Sequence, residues 1–157
     1  MSDNVYLGNP NLKKANTPIE FTEEQIIEFV QCQRDPVYFA NKYVKIVSLD
    51  EGLVSFKPYR FQEKLINNFH ENRFNICKMP RQTGKSTTVV SYLLHYAIFN
   101  DSVNIGILAN KAATARELLG RLQTAYENLP KWMQQGIMVW NKGSLELENG
   151  SKILAAS

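Results

Sequence analysis

The sequence predicts an α/β fold, a parallel sheet flanked by helices, with a small helical and hairpin region ahead of it. Three observations carry this. Beyond residue 73, β-rich runs alternate with helix-periodic runs, the order that builds a parallel sheet. Ile105, Ile107 and Leu108 crowd one short run, as in a strand buried on both faces. Between the first β-rich run and the next helical run lies Gly84-Lys85-Ser86, a glycine turn that opens a helix.

The elements follow in chain order. Residues 1–17 hold Asn, Gly, Pro and Lys without an apolar period and are expected to form a flexible arm. Residues 18–72 form the helical and hairpin region. Thr22-Glu23-Glu24-Gln25 has capping-box spacing, with Ile26, Ile27 and Val30 behind it. Asp35-Pro36 is a second helix start. Residues 44–49 and 53–56 flank Asp50-Glu51-Gly52 and read as a hairpin. Residues 59–69 read as a helix with Phe61, Leu65, Ile66 and Phe69 on one side. In residues 73–157, a strand is expected over 74–78, a loop over 79–85 and a helix over 86–99. A strand at 103–109 and a helix at 110–128 follow, and Pro130 breaks that helix. Two more β-like runs, 137–140 and 144–148, lead through Asn149-Gly150 into Ile153-Leu154. Too few parallel strands precede Ser157 for an open sheet of ordinary width, so the chain is expected to be a truncated piece of a longer protein.

Composition excludes several classes. The chain has 157 residues, about one domain's worth, with 44% hydrophobic and 21% charged residues, which excludes disorder throughout. The most apolar stretch, residues 89–99, is broken by Ser91 and His95 and is far short of the roughly 20 residues of a membrane span. No charged head followed by an apolar run marks a secretory signal. Two cysteines, Cys32 and Cys77, cannot build a disulfide framework or a four-ligand zinc site; a reducing compartment fits, and so does a lone surface disulfide. A net charge of +3 is too mild to imply nucleic-acid binding by itself.

The chemistry concentrates in Met79-Pro80-Arg81-Gln82-Thr83-Gly84-Lys85-Ser86. A phosphate needs a glycine that lets backbone approach, N–H donors at a helix start, and a lysine to neutralise charge. The Ser86 hydroxyl can ligate Mg²⁺. Met79 stands where the first glycine of the G-x-x-x-x-G-K-[ST] phosphate loop belongs, so the pattern is incomplete and its strand-loop-helix setting carries the reading. Arg81 is either a solvated loop residue or a guanidinium clamp on the γ-phosphate. Gln62 could meet the edge of adenine while Phe61 stacks on its face; the alternative is a solvent-facing glutamine beside a core phenylalanine. Lys111, Arg116 and Arg121 lie about 140° apart in succession around their helix, a solvated face and no basic stripe. His70 and His95 lack partners at metal spacing. Trp132 and Trp140 read as core or interface anchors, and Cys77 as a small packing residue.

Residues 75–87, Asn-Ile-Cys-Lys-Met-Pro-Arg-Gln-Thr-Gly-Lys-Ser-Thr, resemble the deviant Walker A segment of the large terminase subunits of T-even-like tailed bacteriophages. Residues 56–62, 107–111, 127–136 and 140–151 resemble the same family, in the same order. The resemblance implies a P-loop NTPase fold in an ATP-driven motor that packages double-stranded phage DNA into a procapsid through its portal. That motor works with a small terminase subunit, as a homo-oligomeric ring, in the host cell cytoplasm. ATP and Mg²⁺ are the implied cofactors, with Lys85 and Arg81 in catalytic roles, Ser86 on the metal and Gln62 on adenine. The family's Asp-Glu strand, coupling motif and nuclease domain lie outside this sequence, so the piece alone is expected to be inactive. Two alternatives stand beside this reading: another helicase-like P-loop translocase, and a nucleotide-binding module without turnover.

Overall fold

The computed structural model describes residues 4–157. A short hairpin, β1 (Val5–Tyr6) and β2 (Asn9–Lys13), opens the chain. This differs from the arm expected over residues 1–17, of which the first three lie outside the described residues. The reason is a buried glutamine distant in sequence. Gln134 accepts from Lys13 N at 3.0 Å and donates to Asn11 O at 2.9 Å, and Leu12 is fully buried beside this tie. The side chain also donates to Tyr126 O and Leu129 O, so its polar atoms are satisfied inside the core.

Two capped helices follow. In α1 (Glu23–Arg34), Thr22 Oγ1 accepts from Gln25 N and the Gln25 side chain accepts from Thr22 N, a complete capping box. In α2 (Pro36–Tyr43), Asp35 Oδ1 accepts from both Val37 N and Tyr38 N at 3.0 Å. The two helices are joined through Glu28, whose carboxylate receives Tyr38 OH at 2.7 Å, Tyr43 OH at 2.6 Å and Lys42 Nζ at 2.8 Å. The hairpin β3 (Lys45–Ser48) and β4 (Gly52–Ser55) forms as expected, its turn one residue earlier, with Gly52 at φ +73° closing it.

Helix α3 (Arg60–Glu71) turns Ile66 inward as expected, with Leu65 and Phe69 half-buried, but Gln62 is buried where Phe61 was expected, and Phe61 is exposed and stacks on Tyr59. Residues 74–78 form no regular secondary structure and pair with no strand among the described residues. Phe74 and Ile76 stand in solvent, so the expected strand is absent. Cys77, expected to pack inside, is half-buried on this segment.

The centre of the molecule is α4 (Lys85–Phe99), which buries Val90, Leu94, Ala97 and Ile98. His95 is buried too. Its Nε2 donates to Cys32 O at 2.8 Å, and burial pushes its pKa down to about 4, so the ring is neutral and structural. Against α4 packs α5 (Ala112–Glu127), which buries Ala115, Leu119 and Leu122.

The main sheet contains β5 (Asn104–Leu108), β6 (Ile137–Trp140), β7 (Ser144–Leu147) and β8 (Lys152–Ala156), in the order β5-β8-β7-β6. Only β5 and β8 run parallel; β6, β7 and β8 form an antiparallel meander. The class is α/β, as expected, but the sheet is mixed. Strand β5 is an edge, with Leu108 77% exposed, and so is not the doubly buried strand its composition suggested. Trp132 and Trp140 are half-buried anchors, edge-on to Tyr43 and tilted against Tyr126 respectively.

Candidate functional site

Residues 79–84 connect this unpaired segment to α4 in a strained turn. Gln82 adopts φ +59° and Gly84 φ +74°, the left-handed region that costs a side-chain-bearing residue energy. Two adjacent side-chain contacts hold the turn: Thr83 Oγ1 donates to Pro80 O at 3.0 Å, and the buried Thr88 Oγ1 donates to Gly84 O at 2.8 Å. Gly84 O also receives Thr88 N at 3.0 Å and Gln62 Nε2 at 3.3 Å. That carbonyl thus points back into the protein, and the glycine N-cap supplies no side-chain acceptor to the first turn of α4.

The turn surrounds a cavity of about 350 Å³, lined by residues 80–87 and by Arg121 from α5. Among the described residues no carboxylate lines it. Neither Arg81 nor Lys85 has an ion-pair partner among the described residues. Uncompensated cations at a bare helix start make an anion-binding environment. The Ser86 hydroxyl sits at the same helix start. One protein oxygen with phosphate oxygens and waters completing the shell suits Mg²⁺, which keeps much of its water. The chemistry of this donor therefore fits the metal that the resemblance implies.

The expected site residues are thus partly assembled. Pro80, Arg81, Gln82, Thr83, Gly84, Lys85 and Ser86 share one cavity; Met79 precedes it and is half-buried. Gln62 reaches the loop from below. Its Oε1 accepts from Tyr59 N at 2.8 Å, capping α3, while its Nε2 holds Gly84 O. It is buried, not solvent-facing as the bland alternative had it. Each end of the amide keeps one further hydrogen-bonding position. Phe61 lies on the outer side of α3, outside the cavity's lining. Arg121, read from spacing as part of a solvated face, stands at the cavity rim. Helical periodicity alone could not reveal this, because it reports which face a residue occupies and not what faces it.

Among the described residues no cluster of three or more His, Cys, Asp or Glu gathers, and no helix is long and apolar enough to cross a membrane.

An α/β chain with a glycine-lysine-serine turn at an uncapped helix start is therefore what fold and site define. A family model described as terminase large subunit, T4likevirus-type, N-terminal, matches residues 76–157, just over half of the chain. The chain belongs to this family, as the sequence resemblance implied, and membership supports a role in phage DNA packaging. The match includes the loop and the sheet and leaves Phe61 and Gln62 outside it.

Proposed function

We propose that residues 79–86 bind ATP with Mg²⁺ in a P-loop NTPase arrangement, as the nucleotide site of a motor that packages double-stranded phage DNA. One observation carries the reading: α4 begins without a side-chain cap, on a cavity that holds Arg81 and Lys85 and no carboxylate. The fold supports it through the parallel pair β5 and β8 beside α5, on which α4 packs, and the family match supports it by including the loop.

In this reading the first-turn N–H groups and Lys85 hold the β- and γ-phosphates, in ground and transition states alike. Arg81 closes on the γ-phosphate as charge shifts during transfer, an interaction that speeds turnover more than it tightens binding. Bound Mg²⁺ would be held by Ser86 and would neutralise charge on the phosphate chain. Gln62 offers its remaining donor and acceptor to the adenine edge, and Phe61 supplies a ring beside it. Portal and procapsid, a small terminase subunit and further copies in a ring are the partners this motor would need, in the host cytoplasm.

The test is equilibrium titration of Mg-ATP into the purified chain and its Lys85→Ala variant. Loss of charge-assisted hydrogen bonds to phosphate should weaken binding at least about a hundredfold. Unaltered affinity in Lys85→Ala would sink the proposal.

A further inference from the structure

We propose that Arg121 is a second-element phosphate ligand, held on Glu117 until a phosphate chain enters the loop cavity and takes it over. The inference rests on the nucleotide reading above and adds a residue and a competitor to it.

Among the described residues, Arg121 is the one residue lining the cavity that does not come from residues 80–87. It belongs to α5, which packs against α4, so the helix pair fixes its base at the cavity rim. Its Nη2 donates to Glu117 Oε1 at 2.7 Å, one turn back along the same helix. Both side chains are about half exposed, 49% and 62%. Such exposed pairs one turn apart hold their partners weakly.

The positions of the two partners differ in a telling way. Arg121 borders the loop cavity and also the adjoining groove between the β3–β4 hairpin, α4 and α5; Glu117 borders only the groove. The guanidinium therefore stands between a single carboxylate on one side and the loop cavity on the other. It carries five N–H donors, of which Glu117 engages one. A phosphate chain offers more charge and more acceptor oxygens than one carboxylate, in a geometry that suits the planar fork. Phosphate entry thus pulls Arg121 from Glu117, and Glu117 acts as a competing anion that lowers affinity.

This makes the two ends of one ion pair act in opposite directions. Mg-ATP and inorganic triphosphate are titrated at matched ionic strength into the parent chain, Arg121→Ala, Arg121→Lys, Glu117→Gln and Lys85→Ala, with thermal melts of each as the folding control. Arg121→Ala should weaken both ligands about tenfold, the low end for a charged hydrogen bond at a part-exposed site. Arg121→Lys should recover part of that loss. Glu117→Gln should tighten both ligands about twofold to threefold. A pair that merely stiffens α5 would shift affinity in the same direction whichever partner is removed. Shifts of one sign in Arg121→Ala and Glu117→Gln, or none in Arg121→Ala, overturn the proposal. If Lys85→Ala loses binding while Arg121→Ala does not, this inference falls and the nucleotide reading stands. If Lys85→Ala binds like the parent, both fall.

Discussion

The starts of α1 and α2 and the start of α4 solve the same problem in opposite ways. Every helix begins with N–H groups that lack intrahelical acceptors. Thr22 and Asp35 satisfy theirs with their own oxygens, and Glu23 and Glu24 add negative charge to the first turn of α1. The start of α4 has none of this: glycine at the cap, no acidic residue in the first turn, and lysine as the first helical residue. A bare start is shared by α5, whose cap residue Lys111 makes no side-chain cap hydrogen bond and whose first turn holds no acidic residue. What sets the α4 start apart is the left-handed backbone, the cations without ion-pair partners among the described residues, and the cavity. Capping chemistry together with the loop geometry thus separates the start of α4 from the starts of α1 and α2.

Gly84→Ala should break this contrast most severely. A β-carbon there would come 2.5 Å from Gln62 Nε2, on a backbone at φ +74°. The left-handed conformation alone costs about 1–2 kcal/mol, and relief of the contact moves the Gln62 amide off Gly84 O. We expect both a lowered melting temperature and an ATP affinity weakened beyond about tenfold, read by thermal melts and titration. Next in size, Asp35→Ala removes two cap hydrogen bonds and should lower stability by about 1–2 kcal/mol in denaturant melts. Its ATP affinity should equal the parent's, because the α2 start faces no cavity of the loop. A parallel loss of affinity would show that the two kinds of helix start are not independent.

The smallest effect concerns Glu28 and sharpens the comparison through pH. Hydrogen bonds from Lys42, then Tyr43 and Tyr38, hold the Glu28 carboxyl down to about 2, below its ordinary 4.5. A depressed acid contributes stability that is full above about 4.5 and is lost as pH falls towards 2. The parent should therefore lose melting temperature across that window more steeply than Glu28→Gln. ATP affinity at neutral pH should be the same in both. Equal slopes would show that the network contributes nothing through ionisation.

Local chemistry was the legible part of the sequence. Caps, the β3–β4 hairpin, the α4 and α5 periodicity and the loop itself are set by neighbours within a few residues, and their positions agree with expectation. What was missed depended on partners distant in sequence. Residues 74–78 have strand composition, but a strand needs a neighbour to bond, and none is present among the described residues. The β1–β2 hairpin has a weak pattern and exists because Gln134 and Glu148 reach it; Glu148 accepts from Asn16 N and pairs with Lys13 at 3.6 Å. Phe61 lost the inward position to Gln62, whose amide has two backbone groups to satisfy. Arg121 was hidden for the same reason: only the packing of α5 on α4 brings it to the loop.

The unpaired stretch at 74–78 has a practical side at the bench. Its backbone and that of the outer edge of β5 are chain that could zip onto other chains, and Phe74, Ile76 and Leu108 make those seams greasy. Handling then becomes a matter of crowding. Dilute samples should scatter light as single particles, while concentrated ones should cloud on standing, sooner in high salt, where charge no longer keeps molecules apart.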